Sequence, residues 1–195
     1  RSSDLTIERL DPAMDGLLAP DAHMERLADG FNWSEGPTWL RGEKAVVFSD
    51  VPENKVYRWS EKEGLSVYLE PSGYTGGELK FREQGSNGLT TDRQGRLVVC
   101  QHGDRRIATL VKREGVMGTF SPLAAHFGPR RFNSPNDLVF SRQGALYFTD
   151  PPYGLDGLNG SPLKELMFNG VYLRRPSGEV VLLTRELTFP NGIAL

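Results

Sequence analysis

Four times along this 195-residue chain a short polar opening leads into an apolar stretch, and the openings recur about 50 residues apart. The fullest copy runs from Ser134-Pro135-Asn136-Asp137-Leu138, through the turn Ser141-Arg142-Gln143-Gly144, to Ala145-Leu146-Tyr147-Phe148-Thr149-Asp150. Ser86-Asn87-Gly88-Leu89, then Asp92-Arg93-Gln94-Gly95, then Arg96-Leu97-Val98-Val99-Cys100 write the same phrase. A looser copy is Ser34-Glu35-Gly36-Pro37, Leu40-Arg41-Gly42 and Ala45-Val46-Val47-Phe48-Ser49-Asp50, and Pro190-Asn191-Gly192-Ile193 opens a fourth. Each phrase reads as two strands and a tight turn. A second hairpin pattern follows, as in Lys55-Val56-Tyr57-Arg58-Trp59, Glu61-Lys62-Glu63-Gly64 and Leu65-Ser66-Val67-Tyr68-Leu69, or Gly170-Val171-Tyr172-Leu173-Arg174, Pro176-Ser177-Gly178 and Glu179-Val180-Val181-Leu182-Leu183. The second repeat gives Arg106-Ile107-Ala108-Thr109-Leu110 and a weaker continuation from Val116 to Phe120. Four short strands per period of about 50 residues predict an all-β fold of propeller blades, not a helical solenoid.

Position within the repeat then acquires chemical meaning. The first strand of a blade lines the central channel, so Glu35, Asn87, Asn136 and Asn191 are expected on a ring about one axis, at one end of it. Carboxylate and amide oxygens gathered from separate blades suit a hard cation such as calcium, which takes 6 to 8 oxygen ligands. Zinc prefers imidazole and thiolate, and the chain holds 3 His and 1 Cys. Asn-Gly and Asn-Asp pairs are also ordinary turn formers. A turn, however, has no need of a carboxylate at Glu35, and four copies in phase favour the ring.

The openings Glu35-Gly36-Pro37-Thr38-Trp39, Ser86-Asn87-Gly88-Leu89, Ser134-Pro135-Asn136-Asp137-Leu138, Thr149-Asp150-Pro151-Pro152-Tyr153-Gly154 and Phe189-Pro190-Asn191-Gly192-Ile193, in that order, resemble the superfamily of senescence marker protein, gluconolactonase and luciferin-regenerating enzyme. The likeness runs from Trp33 to Leu195 and is closest to the bacterial gluconolactonase branch. It implies a six-bladed β-propeller with four-stranded blades and one divalent cation at the bottom of its pocket. At about 50 residues per blade, this chain supplies about the first half to two thirds of such a ring. It also implies that Glu35, Asn136 and Asn191 are metal ligands, and that a ligand Asp serving as general base follows beyond residue 195. Asp137, beside Asn136, is expected to orient the ligand from behind rather than to touch the metal. Calcium is the expected cation, with Zn2+ or Mg2+ as other divalent choices. The implied substrate is a small-molecule sugar lactone, whose hydroxyls Asn87, His102, Asp150 and Tyr153 are available to bind. The implied reaction is a calcium-dependent lactone hydrolysis, in which the cation polarises the carbonyl and water attacks. Two other readings stand beside it: a phosphotriesterase or fluorophosphatase using the same cation, and a non-catalytic ligand-binding propeller with structural calcium.

Residues 1–29 fall outside the repeat and are expected to form an N-terminal arm, with residues 30–195 as the blades and the C-terminal blades missing. In the arm, Asp15-Gly16-Leu17-Leu18 reads as a turn and Ala22-His23-Met24-Glu25-Arg26-Leu27 as a helical turn or strand, with His23 on the surface. The Gly-rich stretch from Pro71 to Gly85 precedes Asn87 and is expected to arch over the polar ring as a lid or wall, with Tyr74 within reach of substrate. His102 is expected where Asp50 and Asp150 stand in their repeats, and His126 in the scaffold. Cys100 reads as a buried or pocket-edge thiol, since no His–acid pair is adjacent to activate it. A formal charge of −2 gives no reason to expect nucleic acid or an anionic membrane as partner. No run reaches the 18 apolar residues of a spanning helix, so a soluble protein of the cytoplasm or periplasm is expected.

Overall fold

The computed structural model describes residues 6–77 and 83–195, and the chain separates into two compact units, Arg1–Phe31 and Asn32–Leu195. In the first, the turn expected near Asp15 is a 3-10 helix, Pro12–Gly16, opened by the Asp11 side chain accepting the Ala13 amide at 2.8 Å. Arg9 ties this unit together by donating to the Asp15 carboxylate and to the carbonyls of Leu18 and Ala19. Residues 22–27 form neither helix nor strand, contrary to the sequence expectation, and His23 is exposed. Their apolar residues are too few for either period to bury a face.

The second unit is built of three antiparallel four-stranded sheets, each meandering in chain order. The first comprises β1 (Ser34–Leu40), β2 (Ala45–Asp50), β3 (Lys55–Ser60) and β4 (Gly64–Leu69). The second comprises β5 (Ser86–Thr91), β6 (Leu97–Gln101), β7 (Arg106–Glu114) and β8 (Met117–Ala124). A two-stranded ribbon, β9 (His126–Phe127) with β10 (Arg130–Arg131), leads into the third sheet. That sheet is β11 (Leu138–Phe140), β12 (Leu146–Asp150), β13 (Gly170–Arg174) and β14 (Val180–Thr184). The weak strand read from Val116 to Phe120 is longer in the structure, because β7 extends to Glu114 and pairs along the whole of β8. The first strands of successive sheets lie side by side, β1 against β5 and β5 against β11, as blades do around an axis. Among the described residues no helix is long and apolar enough to cross a membrane.

The repeated turn chemistry explains why the hairpins close where they do. Asp92 accepts the amides of Gln94 and Arg96, both at 2.9 Å, and Ser141 in the same place accepts the Ala145 amide at 3.2 Å. These short side chains supply a local partner to backbone groups that a tight turn leaves unpaired.

The core lies between the sheets. Leu97 and Val99 of β6 pack with Leu40, Val47, Val56 and Leu69 of the first blade. Val98 and Cys100, on the opposite face of the same strand, pack with Phe132, Leu146, Phe148 and Tyr172 toward the third. Side chains alternate along a strand, so a sheet covered on both faces needs a continuous apolar run, and Leu97-Val98-Val99-Cys100 is that run. Phe132, Phe148 and Tyr172 form a ring cluster with centroids 5.1 to 5.2 Å apart, worth about 0.5–1.5 kcal/mol per pair beyond area burial. Cys100 is fully buried, and burial pushes its thiol well above the usual range.

Candidate active site

In the first two repeats the leading residue is set by an irregularity in its strand. In β1 the pairing with β2 shifts between Glu35 and Thr38, and in β5 the pairing with β6 shifts between Ser86 and Leu89. A bulge of this kind adds a residue to one strand and re-aims the side chain beside it. The glycine that follows the polar residue then lets the next blade come close. Gly36 has φ +54°, and a Cβ built on it would lie within contact distance of the Asn87 carbonyl and 2.7 Å from Gly88 Cα. A Cβ on Gly88 would lie 2.6 Å from the Asn136 carbonyl oxygen. Only glycine permits these approaches.

As a result Glu35, Asn87, Asn136, Asp137 and Asn191 line one pocket of about 280 Å³, together with the small residues around them. Side-chain and backbone hydrogen bonds join the blades beneath it. Ser49 of β2 donates to the Asn87 carbonyl at 2.8 Å, and the Gly88 amide donates to the Asn136 carbonyl at 2.7 Å. Thr149 of β12 donates to the Asn191 carbonyl at 2.7 Å, and Asp137 Oδ2 accepts the Ile193 amide at 2.9 Å. Asp137 Oδ1 accepts the Leu138 amide at 2.9 Å. Each oxygen of Asp137 therefore accepts one backbone amide.

Trp33 Nε1 donates to Glu35 Oε1 at 3.2 Å. Asn87 and Asn136 are 8% and 3% exposed, and both line the pocket. Among the described residues no group of three or more His, Cys, Asp or Glu side chains is placed to hold a metal ion. The pocket is lined by two carboxylates, Glu35 and Asp137, and three side-chain amides, a set of hard oxygens that fits calcium by chemistry and suits zinc poorly.

The remaining sequence candidates lie outside this pocket. Asp150 is fully buried, and its two oxygens accept the amides of Asn133 and Ser134 at 2.8 and 2.9 Å, stapling the entry to the third blade. Burial pushes its pKa up to about 7, against the opposing pull of those two amides. Asp50 makes the same staple in the first blade, accepting Asn32 and Trp33. The residue in register with these acids in the second blade is Gln101, which faces Ser86 as Asp50 faces Ser34, so the expected place of His102 is off by one. Gln101 donates to the Ser72 carbonyl and accepts from Arg106, a task that needs no charge.

His102 is fully buried, with its pKa lowered to about 4 by desolvation. Its Nδ1 lies 3.2 Å from the Glu83 carbonyl, which can only accept, so the neutral ring carries its proton there. A Cβ on Gly154 would meet His102 Cβ at 2.6 Å, which seats the imidazole beneath the Pro-Pro-Tyr-Gly turn. Tyr153 is half-buried and stacks on Phe189 at 5.8 Å. Of the proposed lid, residues 78–82 lie outside the described residues. Tyr74 is half-buried, and its backbone is held by Asn54, whose side chain bonds the amides of Ser72, Gly73 and Tyr74.

Sequence reasoning missed Ser49 and Thr149. The signal for them was present: each is a hydroxyl residue directly before the acid that ends the second strand of its blade.

Residues 33–195 match the family model described as the SMP-30/Gluconolactonase/LRE-like region. A gluconolactonase of Zymomonas mobilis is 40% identical over 193 residues, covering 97% of this chain and 53% of that protein. The chain thus spans about half the length of the curated relative it matches. An X-ray structure described as a gluconolactonase candidate superposes with a TM-score of 0.81 at 34% identity, over 96% of this chain and 60% of that one. The gluconolactonase of Xanthomonas campestris superposes with a TM-score of 0.66 at 32% identity, over 82% of this chain and 50% of that one.

Proposed function

Because the chain belongs to the SMP-30/gluconolactonase/LRE-like family, we propose that its pocket is the cation-holding part of a lactonase active site that opens a sugar lactone by hydrolysis. The observation that carries the reading is the convergence of Glu35, Asn136 and Asn191, from separate repeats, on one pocket. These three residues would hold a divalent cation, calcium by donor type. A cation only partly neutralised by a single carboxylate supplies Lewis-acid polarisation of the lactone carbonyl.

The chain's own residues supply the rest. Asn87, on the same wall, offers an amide that both donates and accepts, which suits a sugar hydroxyl. Asp137 accepts the Leu138 and Ile193 amides, one on each oxygen, and so ties its own strand to the segment that carries Asn191. Its contribution is positional. The Gly36 and Gly88 approaches keep the donors on rigid neighbouring strands, and rigid placement is what allows groups to be aligned before the reaction begins.

The test is hydrolysis of gluconolactone and related aldonolactones by the full-length protein, before and after chelation and after calcium is returned. Turnover abolished by chelator and restored by calcium is the expected result. Undiminished turnover in chelator removes the cation from the mechanism. Calcium uptake without lactone turnover, or with turnover of a phosphotriester instead, replaces the substrate assignment.

A further inference from the structure

We propose that Thr149 and Asp137 form a two-point clamp that sets the position of Asn191, and so complete the pocket from the third blade. Residues 190–193 open the fourth repeat, and two side chains of the third blade reach them. Thr149 Oγ1 donates to the Asn191 carbonyl at 2.7 Å while accepting the Asp137 amide at 3.2 Å. Asp137 Oδ2 accepts the Ile193 amide at 2.9 Å. The segment is gripped on both sides of Gly192, once through its carbonyl and once through an N–H.

The clamp is anchored to the same strand pair that presents Asn136. The Asn136 amide donates to the Thr149 carbonyl at 2.9 Å, and the Thr149 amide to the Asp137 carbonyl at 3.1 Å. One short pairing therefore fixes both amides relative to each other. The first blade repeats the device: Ser49, at the position of Thr149, donates to the Asn87 carbonyl at 2.8 Å. The second blade lacks the hydroxyl, since Cys100 stands there facing the core, and Gly88 bonds the Asn136 carbonyl through backbone. A hydroxyl before the terminal residue of the second strand thus holds the next blade's leading residue from both the first and the third blade.

The clamp's bearing on cation binding rests on the function proposed above, whereas its hold on residues 190–193 does not. The experiment uses the full-length protein with Thr149→Val, Thr149→Ser and Asp137→Asn. Amide hydrogen exchange of the peptide spanning 189–195 is measured in chelator, and calcium affinity by calorimetry. Thr149→Val removes the hydroxyl at nearly constant volume, and is expected to speed exchange in this peptide severalfold and weaken calcium binding about fivefold or more. Asp137→Asn keeps one acceptor of two and is expected to act in the same direction. Thr149→Ser restores the donor and should match the parent in both readouts. Parent-like exchange at 189–195 in Thr149→Val overturns the clamp, as does faster exchange with unchanged calcium affinity. If the parent itself takes up no calcium, the cation reading falls and the clamp is judged on exchange alone.

Discussion

Replacing Gly36 by alanine probes the approach of the first two blades most directly. Gly36 sits at φ +54°, where an L side chain costs about 1–2 kcal/mol. The added methyl would also meet backbone, the Asn87 carbonyl and Gly88 Cα, which cannot rotate away. Forcing atoms into a filled site adds about 1–3 kcal/mol. Gly115 provides the control, with φ +59° and nothing within 4 Å of its Cβ position. Both variants bear the left-handed strain, and only Gly36→Ala bears the collision. The difference between them is therefore about 2 kcal/mol. Thermal unfolding of both variants of the full-length protein reads it. Equal unfolding temperatures would refute the claim that the opening strands touch at this glycine.

Three further outcomes follow from the geometry. Glu35→Gln removes the carboxylate from the proposed ligand set and is expected to weaken calcium binding tenfold or more in calorimetry; unchanged affinity excludes Glu35. Asp150 has its pKa pushed up to about 7 in the folded protein, above the value of an unfolded Asp. The folded state therefore binds more protons across that window. Its contribution to stability is fullest at the acid end, near pH 4, and is lost as pH rises toward about 7. Denaturant unfolding from pH 4 to 8 should show that fall, and Asp150→Asn should flatten it; an unchanged slope assigns the dependence elsewhere. Arg105, 5% exposed, donates to the carbonyls of Phe132, Asn133 and Leu163 and to Glu165. Lysine lacks the planar fork that reaches several acceptors at once, so Arg105→Lys is expected to cost about 2 kcal/mol in denaturant titration.

The blade repeat and the polar leaders were legible because they are written in contiguous residues. Asp92-Arg93-Gln94-Gly95 and Ser141-Arg142-Gln143-Gly144 carry their own turn chemistry, and the run Leu97-Val98-Val99-Cys100 announces a strand buried on both faces. The place of His102 was misread for the opposite reason. In the second blade a neutral Gln101 fills the register position of Asp50 and Asp150, and a search for an acid or its ionisable substitute steps past it. Asp150 itself looked like a pocket group, whereas its carboxylate is consumed by two amides of the chain entering the blade.

From the sequence alone came the period, the strands and the identity of the residues that open each blade, because turn preference and alternation act over a few neighbouring positions. Tertiary structure decided which of those residues share a pocket and which are spent on the scaffold. That choice depends on strand bulges, on the contact of Gly36 and Gly88 with the next blade, and on hydroxyls such as Thr149 that reach across to a carbonyl some forty residues away. Such contacts are long-range, and each sets a side chain's direction through a backbone that local sequence does not describe.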